Sequence, residues 1–457
     1  MTTIYAARWL LPVASQAVED GALVVEGSKI VGVGSRAKLL KLFPESSVQD
    51  LGNAIILPGL VNAHSHLELT AMRGYLEDEE TNFFSWLRKL TLARLNLMTE
   101  DDIEVSALWG ACEAARAGVT AVGDASDAGR LSMKALQSVG LRGIVFQESF
   151  GPDANLAKEN FVTLQAKVDQ LLASQTELVR VGVSPHSPYT VSGPQLELIA
   201  DFALSEKLPL MIHAAESAAE ESLIKDGTGL FAEGLQKRNI VWDIPGMSPI
   251  QYLKERGILE TKALLAHCIR VDQHDLEAIS ADGASIAHCP KSNAKLGHGF
   301  ARLSAFLQNG INVGIGSDSV ASNNTCDILE ETRFAALLSR AVGSGDNTQS
   351  RVSNPELLHL ATSGGARCLG LNKVGPLQPG ADADFIAVSV DGTQQTPMYD
   401  PAATLLFSSS GRDVVLTVVA GREIYRNGRV ETVDEERLSA RINEISRKLS
   451  DHEYSGS

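Results

Sequence analysis

The chain has 457 residues, enough for two or three domains and for a core that folds without staples. Its 56 acidic and 40 basic residues leave a formal net charge of −16, which argues against nucleic acid or an anionic membrane as partner, and no apolar run approaches the ~20 residues that span a bilayer. The five cysteines (Cys112, Cys268, Cys289, Cys326, Cys368) include no Cys-x-x-Cys pair, and Met1-Thr2-Thr3-Ile4-Tyr5 carries no basic-then-apolar leader, so a cytoplasmic setting without disulfides or a zinc ribbon is expected.

In chain order, residues 1–56 read as short strands joined by glycine turns. The apolar run 54–62 then closes on His64 and His66. Residues two apart on a strand share a face, so the pair can meet one metal ion. Seven further β-rich runs end in a chemically capable residue. Residues 120–123 end at Asp124, 143–147 at Glu148 and 179–185 at His186. Residues 209–212 end at His213, with Glu216 three further on; 263–266 end at His267, 284–287 at His288 and 312–317 at Asp318. Segments of helical periodicity separate them, for example 102–117, 131–139, 160–173 and 195–205. Strands alternating with helices predict parallel pairing. Eight such units predict a closed (β/α)8 barrel over residues 57–370, with reactive groups at the C-terminal strand ends. Strand-rich segments return after residue 371, and neither end buries enough alone. A small β-sandwich built from residues 1–56 and 371–457 is predicted, with a helix over 434–449 and a polar tail.

The strand ends form a chemically consistent set. His64, His66, His213 and Asp318 offer the nitrogen and oxygen donors of a catalytic metal site, suited to one Zn²⁺ and also to Fe²⁺. Glu216, beside the metal but not bound to it, can shuttle protons. The alternative is an acid in the first turn of a helix, where acids are favoured. His267 can orient the attacking water, and Asp318 can accept its proton. Glu148, His186 and His288 sit at three of the remaining strand ends and are candidate substrate contacts, the alternative for the two histidines being a purely structural role. Cys268 and Cys289 each follow a strand-end histidine, and strand alternation turns them away into packing. His274, His298, His359 and His452 end no strand and read as surface or structural.

Asn62-Ala63-His64-Ser65-His66, Ser184-Pro185-His186-Ser187-Pro188-Tyr189, His213-Ala214-Ala215-Glu216, His288-Cys289-Pro290-Lys291-Ser292-Asn293 and Gly316-Ser317-Asp318 resemble the amidohydrolase superfamily. Within it they resemble the branch of cytosine, guanine and S-adenosylhomocysteine deaminases and triazine chlorohydrolases, as does Pro379-Gly380-Ala381-Asp382-Ala383-Asp384. The resemblance implies the same barrel and metal set, proton transfer by Glu216, and a hydrolase of non-peptide C–N bonds. The fourth strand ends in Ser-Pro-His without the lysine that commonly bridges two metals in other branches, which supports a single metal.

The loop after the first barrel strand carries Trp86 and Arg88 as candidate substrate contacts, with Arg73, Lys89 and Arg94 nearby; its alternative is a packed amphipathic helix. S-adenosylhomocysteine-type deaminases tend to carry an acid shortly after such a tryptophan, and none stands between Trp86 and Glu100. The pairing of His-Leu-Glu-Leu with Phe-Phe-Ser-Trp-Leu-Arg is closer to aminodeoxyfutalosine deaminases of menaquinone biosynthesis, whose substrate benzoate a basic side chain can pair. The alternatives are adenosine or S-adenosylhomocysteine, guanine, cytosine, a chlorotriazine or a cyclic amide. A non-catalytic relative is expected to lose metal ligands, and this chain keeps the set. The expected partner is a small molecule; a homo-oligomer is left open.

Overall fold

The computed structural model describes residues 2–342 and 351–454, the side chains of 452–454 excepted, so His452 lies outside the described side chains. The chain opens with β1 (Thr2–Leu10), β2 (Val18–Glu26), β3 (Lys29–Ser35), β4 (Ser47–Asp50) and β5 (Ala54–Pro58). The eight runs that end in polar residues follow as β6 (Leu60–Ser65), β7 (Val119–Ser126), β8 (Arg142–Ser149), β9 (Val179–Pro185), β10 (Met211–Ala214), β11 (Leu264–His267), β12 (Ser285–His288) and β13 (Asn312–Ile315). Near the end come β14 (Phe385–Ser389), β15 (Val414–Val419), β16 (Arg422–Arg426) and β17 (Arg429–Val430).

The central strands form two four-stranded parallel sheets, β6-β7-β8-β9 and β10-β11-β12-β13. Crossover helices such as Glu100–Arg116, Gly129–Val139, Ala157–Leu172 and Gly193–Glu206 cover them. A helix between successive strands is what makes parallel pairing possible. Single parallel bridges join the sheets at both borders, Val183 with Leu210 and Ser65 with Asp318. All eight polar strand ends therefore emerge on one side.

The terminal segments differ from the predicted two-sheet sandwich. They hydrogen-bond into one nine-stranded mixed sheet, in the order β17-β16-β15-β14-β5-β1-β2-β3 with β4 beside β1. The junction is β5 against β14, antiparallel from Ala54–Ser389 to Pro58–Phe385. The far hairpin folds back onto this junction: Ile30 N donates to Ala381 O (3.0 Å) and Gly380 N to Ile30 O (2.8 Å). The sheet thus wraps its own apolar core of Leu10, Leu23, Ile56, Phe385 and Leu416. Continuous pairing satisfies backbone groups that two separate sheets would leave at open edges.

The run 54–62, read as one strand, is split at Pro58–Gly59. Gly59 N donates to Asp384 O and Leu60 N to Gly118 O, so the chain passes from one sheet to the other within two residues. A Cβ at Gly59 would lie 2.1 Å from Thr120 Oγ1, so no other residue fits there. At the opposite end of β8 from the polar strand ends, Arg142 makes a two-pronged ion pair with Asp384 (2.9 and 3.0 Å), both buried. Asp384 also accepts from Ala420 N (2.8 Å). The Pro379–Asp384 motif is thereby a clasp between the terminal sheet and the central strands.

The final helix, Glu435–Tyr454, extends past the predicted 434–449. Its Ile445 and Leu449 pack with Met72, Leu76, Trp86 and Leu90. Among the described residues no helix is long and apolar enough to cross a membrane.

Candidate active site

His64 lies on β6 and His66 just beyond it, His213 on β10, and Asp318 three residues past β13. One ligating atom from each of the four lies within 4.8 Å of all the others, and all four residues are buried. His66 Nε2 is 3.2 Å from His213 Nε2; Asp318 Oδ1 is 3.4 Å from His64 Nε2 and 3.6 Å from His66 Nε2. Such a convergence of imidazole nitrogens on a carboxylate fits one divalent metal ion.

The neighbours fix which nitrogen faces inward. His213 Nδ1 lies 2.7 Å from the His186 carbonyl oxygen, and His64 Nδ1 lies 3.1 Å from Met211 Sδ. Both outer atoms are acceptors, so Nδ1 carries the hydrogen and the Nε2 lone pair points into the group. His64 Nε2 is buried without a hydrogen-bond partner among the described residues, as a ligand nitrogen would be. Burial pushes His66 down to about 3 and His213 well below the ordinary histidine range, which keeps both neutral. Burial alone would raise Asp318, but the adjacent His64, with His267 and His66, holds it well below the carboxylate range. Asp318 Oδ2 accepts from Ser292 Oγ (2.5 Å) and Ser322 Oγ (3.2 Å), leaving Oδ1 toward the histidines. Its φ of 58° is left-handed, a costly conformation for a non-glycine residue, and Asp318 N is tied to His64 O (2.9 Å).

Glu216 stands outside this group. It precedes the helix Ala218–Asp226, whose cap is Ser217, so it is not a first-turn acid. That place belongs to Glu220, which accepts from Ala215 N (2.8 Å) and Glu216 N (2.7 Å) and so clamps the turn. Burial pushes Glu220 up to about 8. Glu216 Oε1 is 3.7 Å from His267 Nε2, and Oε2 accepts from the Tyr189 hydroxyl (3.3 Å). His267 Nδ1 lies 2.8 Å from Asn293 Oδ1, so its Nε2 lone pair faces the site.

A cavity of about 980 Å³ opens above these groups. His66, His186, His213, Glu216 and Asp318 line its inner end, while Phe83, Trp86, Leu87, Phe150, Tyr189 and Phe231 line its walls. Trp86 is buried in the helix Phe83–Leu97; that helix is amphipathic and packed, and it also faces the cavity. Glu148 lines the cavity with Oε1 buried and unpartnered among the described residues, 4.0 Å from His66 Nδ1. Burial and the nearby Glu68 push it well above the carboxylate range. The His186 ring lies 4.6 Å from that of His213, and its Nδ1 is 2.9 Å from Thr190 Oγ1.

Four expectations need revision or sorting. His288 does not line the large cavity; it turns into a separate one of about 260 Å³ with Asn293, Phe300 and Arg302, because Pro290 starts a helix directly behind it. His298, read as surface or structural, has a buried side chain with Nε2 3.7 Å from Glu216 Oε1. Of the loop cations, Arg73 pairs with Glu113, Lys89 sits over the Tyr75 ring, and Arg94 is held by Glu68 (2.9 Å) and Asp127 (3.1 Å). Arg88 lines the cavity and has no ion pair among the described residues. Cys268 and Cys289 are buried outside the ligand group. Tyr189 and Asn293 lie inside the Ser-Pro-His and His-Cys-Pro motifs, which could have pointed to them. Glu220 and His298 carry no such signal.

A family model described as "Amidohydrolase family" matches residues 55–424. A 5-methylthioadenosine/S-adenosylhomocysteine deaminase of Nitratidesulfovibrio vulgaris (strain DSM 19637 / Miyazaki F) is 32% identical over 440 residues, covering 95% of this chain and 94% of the relative. Among solved structures, a zinc-bound adenosine deaminase from Xanthomonas campestris superposes with a TM-score of 0.86 at 24% identity over 98% of each chain. A zinc complex of an atrazine chlorohydrolase from Arthrobacter aurescens gives 0.84 at 25% identity, over 97% of this chain and all of the other.

Proposed function

The chain belongs to the amidohydrolase family and is a hydrolase of C–N bonds of the deaminase type, and from that premise we propose that it deaminates an adenine nucleoside bearing a carboxylate, with aminodeoxyfutalosine the best fit. His64, His66, His213 and Asp318 would hold one metal ion, zinc in this reading and iron as the alternative. When bound, the metal supplies the Lewis acidity that makes water nucleophilic at neutral pH. The Nε2 lone pair of His267 accepts a hydrogen of the attacking water and sets its direction. Asp318 Oδ1 offers a second acceptor. Glu216 takes one proton of the water and gives it to the ring nitrogen beside the amino-bearing carbon; the second water proton, from the hydroxyl now on that carbon, passes through Asp318 Oδ1 to the departing amino group, which leaves as ammonia. The analogous attack at C6 of adenine occurs in zinc deaminases of a different fold.

The observation that carries the reading is Glu216, a buried carboxylate beside the ligand group yet outside it, 3.7 Å from His267. The walls of Phe83, Trp86, Phe150 and Phe231 suit a base and a second aromatic group, and Arg88, also in the lining, suits a carboxylate. Glu148 and His186 are read as contacts to the nucleoside, and His288 as support behind His267. S-adenosylhomocysteine, which also carries a carboxylate, is the second reading, favoured by the name of the relative. We read the eight parallel strands as one closed barrel over 57–370, supported by the bridges at both sheet borders, with 1–56 and 371–457 as one accessory unit. A cytoplasmic small-molecule enzyme is the setting this implies.

The test is ammonia release by metal-loaded protein from aminodeoxyfutalosine, S-adenosylhomocysteine, adenosine, guanine, cytosine and s-triazines. Fastest turnover of aminodeoxyfutalosine is expected. A preference for guanine, cytosine or a chlorotriazine overturns the nucleoside assignment.

A further inference from the structure

His298 lies in the connection between the helices Pro290–Lys295 and Leu303–Gln308. Its side chain is 6% exposed, and its buried Nε2 has no hydrogen-bond partner among the described residues. The group facing that nitrogen is Glu216 Oε1, at 3.7 Å, the same oxygen that faces His267 Nε2 at 3.7 Å. A histidine serving only to fill space would turn its polar atom to a carbonyl or to solvent, since a buried polar atom without a partner is costly. Here two imidazoles bracket one carboxylate oxygen, while Tyr189 holds the other.

The opposite side of the ring is also defined. Phe83 meets it edge-on, with ring centroids 4.5 Å apart and planes at 89°. Phe83 opens the cavity-facing helix Phe83–Leu97 and stacks on Trp86 (6.1 Å, 16°). The imidazole is therefore wedged between the proposed proton shuttle and the aromatic wall of the cavity.

We propose that His298 is a positioning residue for Glu216, fixing the carboxylate in the orientation proton transfer needs and tying it to the seating of the Phe83–Leu97 helix. It acts through Glu216 and does not line the cavity. The inference rests on the shuttle role proposed above for Glu216.

The experiment uses His298→Ala, His298→Gln and each of these in a Glu216→Gln background, with metal content measured throughout. Misplacing a reacting group by about 1 Å costs up to ~10²-fold in rate. His298→Ala should lower kcat roughly ten- to a hundredfold, with KM changed less than about twofold and the metal retained. His298→Gln, which keeps a donor, should recover most of the loss. In the Glu216→Gln background, His298→Ala should add less than about twofold, because the group it positions is gone. A His298→Ala enzyme with kcat within about twofold of the parent, a change in KM alone, or the same fold-loss in both backgrounds would overturn the proposal. The variants are read on whichever compound the parent turns over. A parent that prefers a chlorotriazine thus overturns the substrate reading alone, and additive losses overturn the role of His298 alone.

Discussion

Glu216→Gln separates metal binding from chemistry. The substitution keeps side-chain length and volume and removes the ability to carry a proton. The Tyr189 hydroxyl, now 3.3 Å from Oε2, can donate equally to an amide oxygen. The amide nitrogen can then donate to the His267 Nε2 lone pair, 3.7 Å away. The backbone clamp from Glu220 to Ala215 N and Glu216 N does not involve the substituted atoms. None of the four ligating atoms is altered. Metal stoichiometry and melting temperature should therefore match the parent. A general acid–base group contributes roughly 10²–10⁴-fold, equivalent to about 2.7–5.5 kcal/mol of barrier. Ammonia release should fall by at least a hundredfold, measured beside elemental analysis of the same preparation. Loss of the metal, or kcat within about tenfold of the parent, would refute the shuttle role.

Metal removal should abolish turnover, and Zn²⁺ or Fe²⁺ should restore it at one ion per chain; two tightly bound ions per chain would contradict the one-metal reading and point to Glu148 and His186, which form a second such group with His213. Because the metal binds the folded state, the melting temperature should also fall on chelation. A nucleoside bearing a carboxylate should exceed adenosine by more than tenfold in kcat/KM, since losing a partly buried charge pair costs ~2–5 kcal/mol. Arg88→Gln should narrow that ratio toward one, and an unchanged ratio would remove Arg88 from recognition. Asp384→Ala removes the two-pronged partner of the buried Arg142 and leaves it only Asp382, at 3.2 Å; breaking a buried pair typically costs about 3–5 kcal/mol. Urea unfolding should register this, and a loss under about 1 kcal/mol would show that the clasp between the sheets is dispensable.

The candidate ligand set is legible because the physics that makes a parallel strand also aligns its end. Each apolar run needs a helix to return, so all eight run the same way and their terminal residues share one rim. The structure brings His64, His66, His213 and Asp318 together, and the four could be picked from that rim by their donor chemistry. Their inward nitrogens could not, since the acceptors that fix them, the His186 carbonyl and Met211 Sδ, come from other strand ends. The loop cations show the same limit. Arg73, Arg88, Lys89 and Arg94 look alike in sequence, and only their neighbours separate them: Glu113, Glu68 and Asp127 occupy two of them, and the Tyr75 ring a third.

The two larger misreadings have one cause. Two sheets and one wrapped sheet present the same alternation of apolar and polar residues, so periodicity could not choose between them for the termini. The choice is made by long-range pairing of β5 with β14 and by the return of Ile30 to Ala381, which no local pattern encodes. His298 was missed for a related reason. It stands ten residues beyond His288, in a connection with no regular spacing to aim it. What brings it to Glu216 is the packing of Phe83 from a helix more than two hundred residues earlier in the chain. Residues placed by strand register can be predicted from spacing; residues placed by another element's side chain cannot. In this site the candidate ligands belong to the first kind, and His298, the proposed positioning residue for Glu216, belongs to the second.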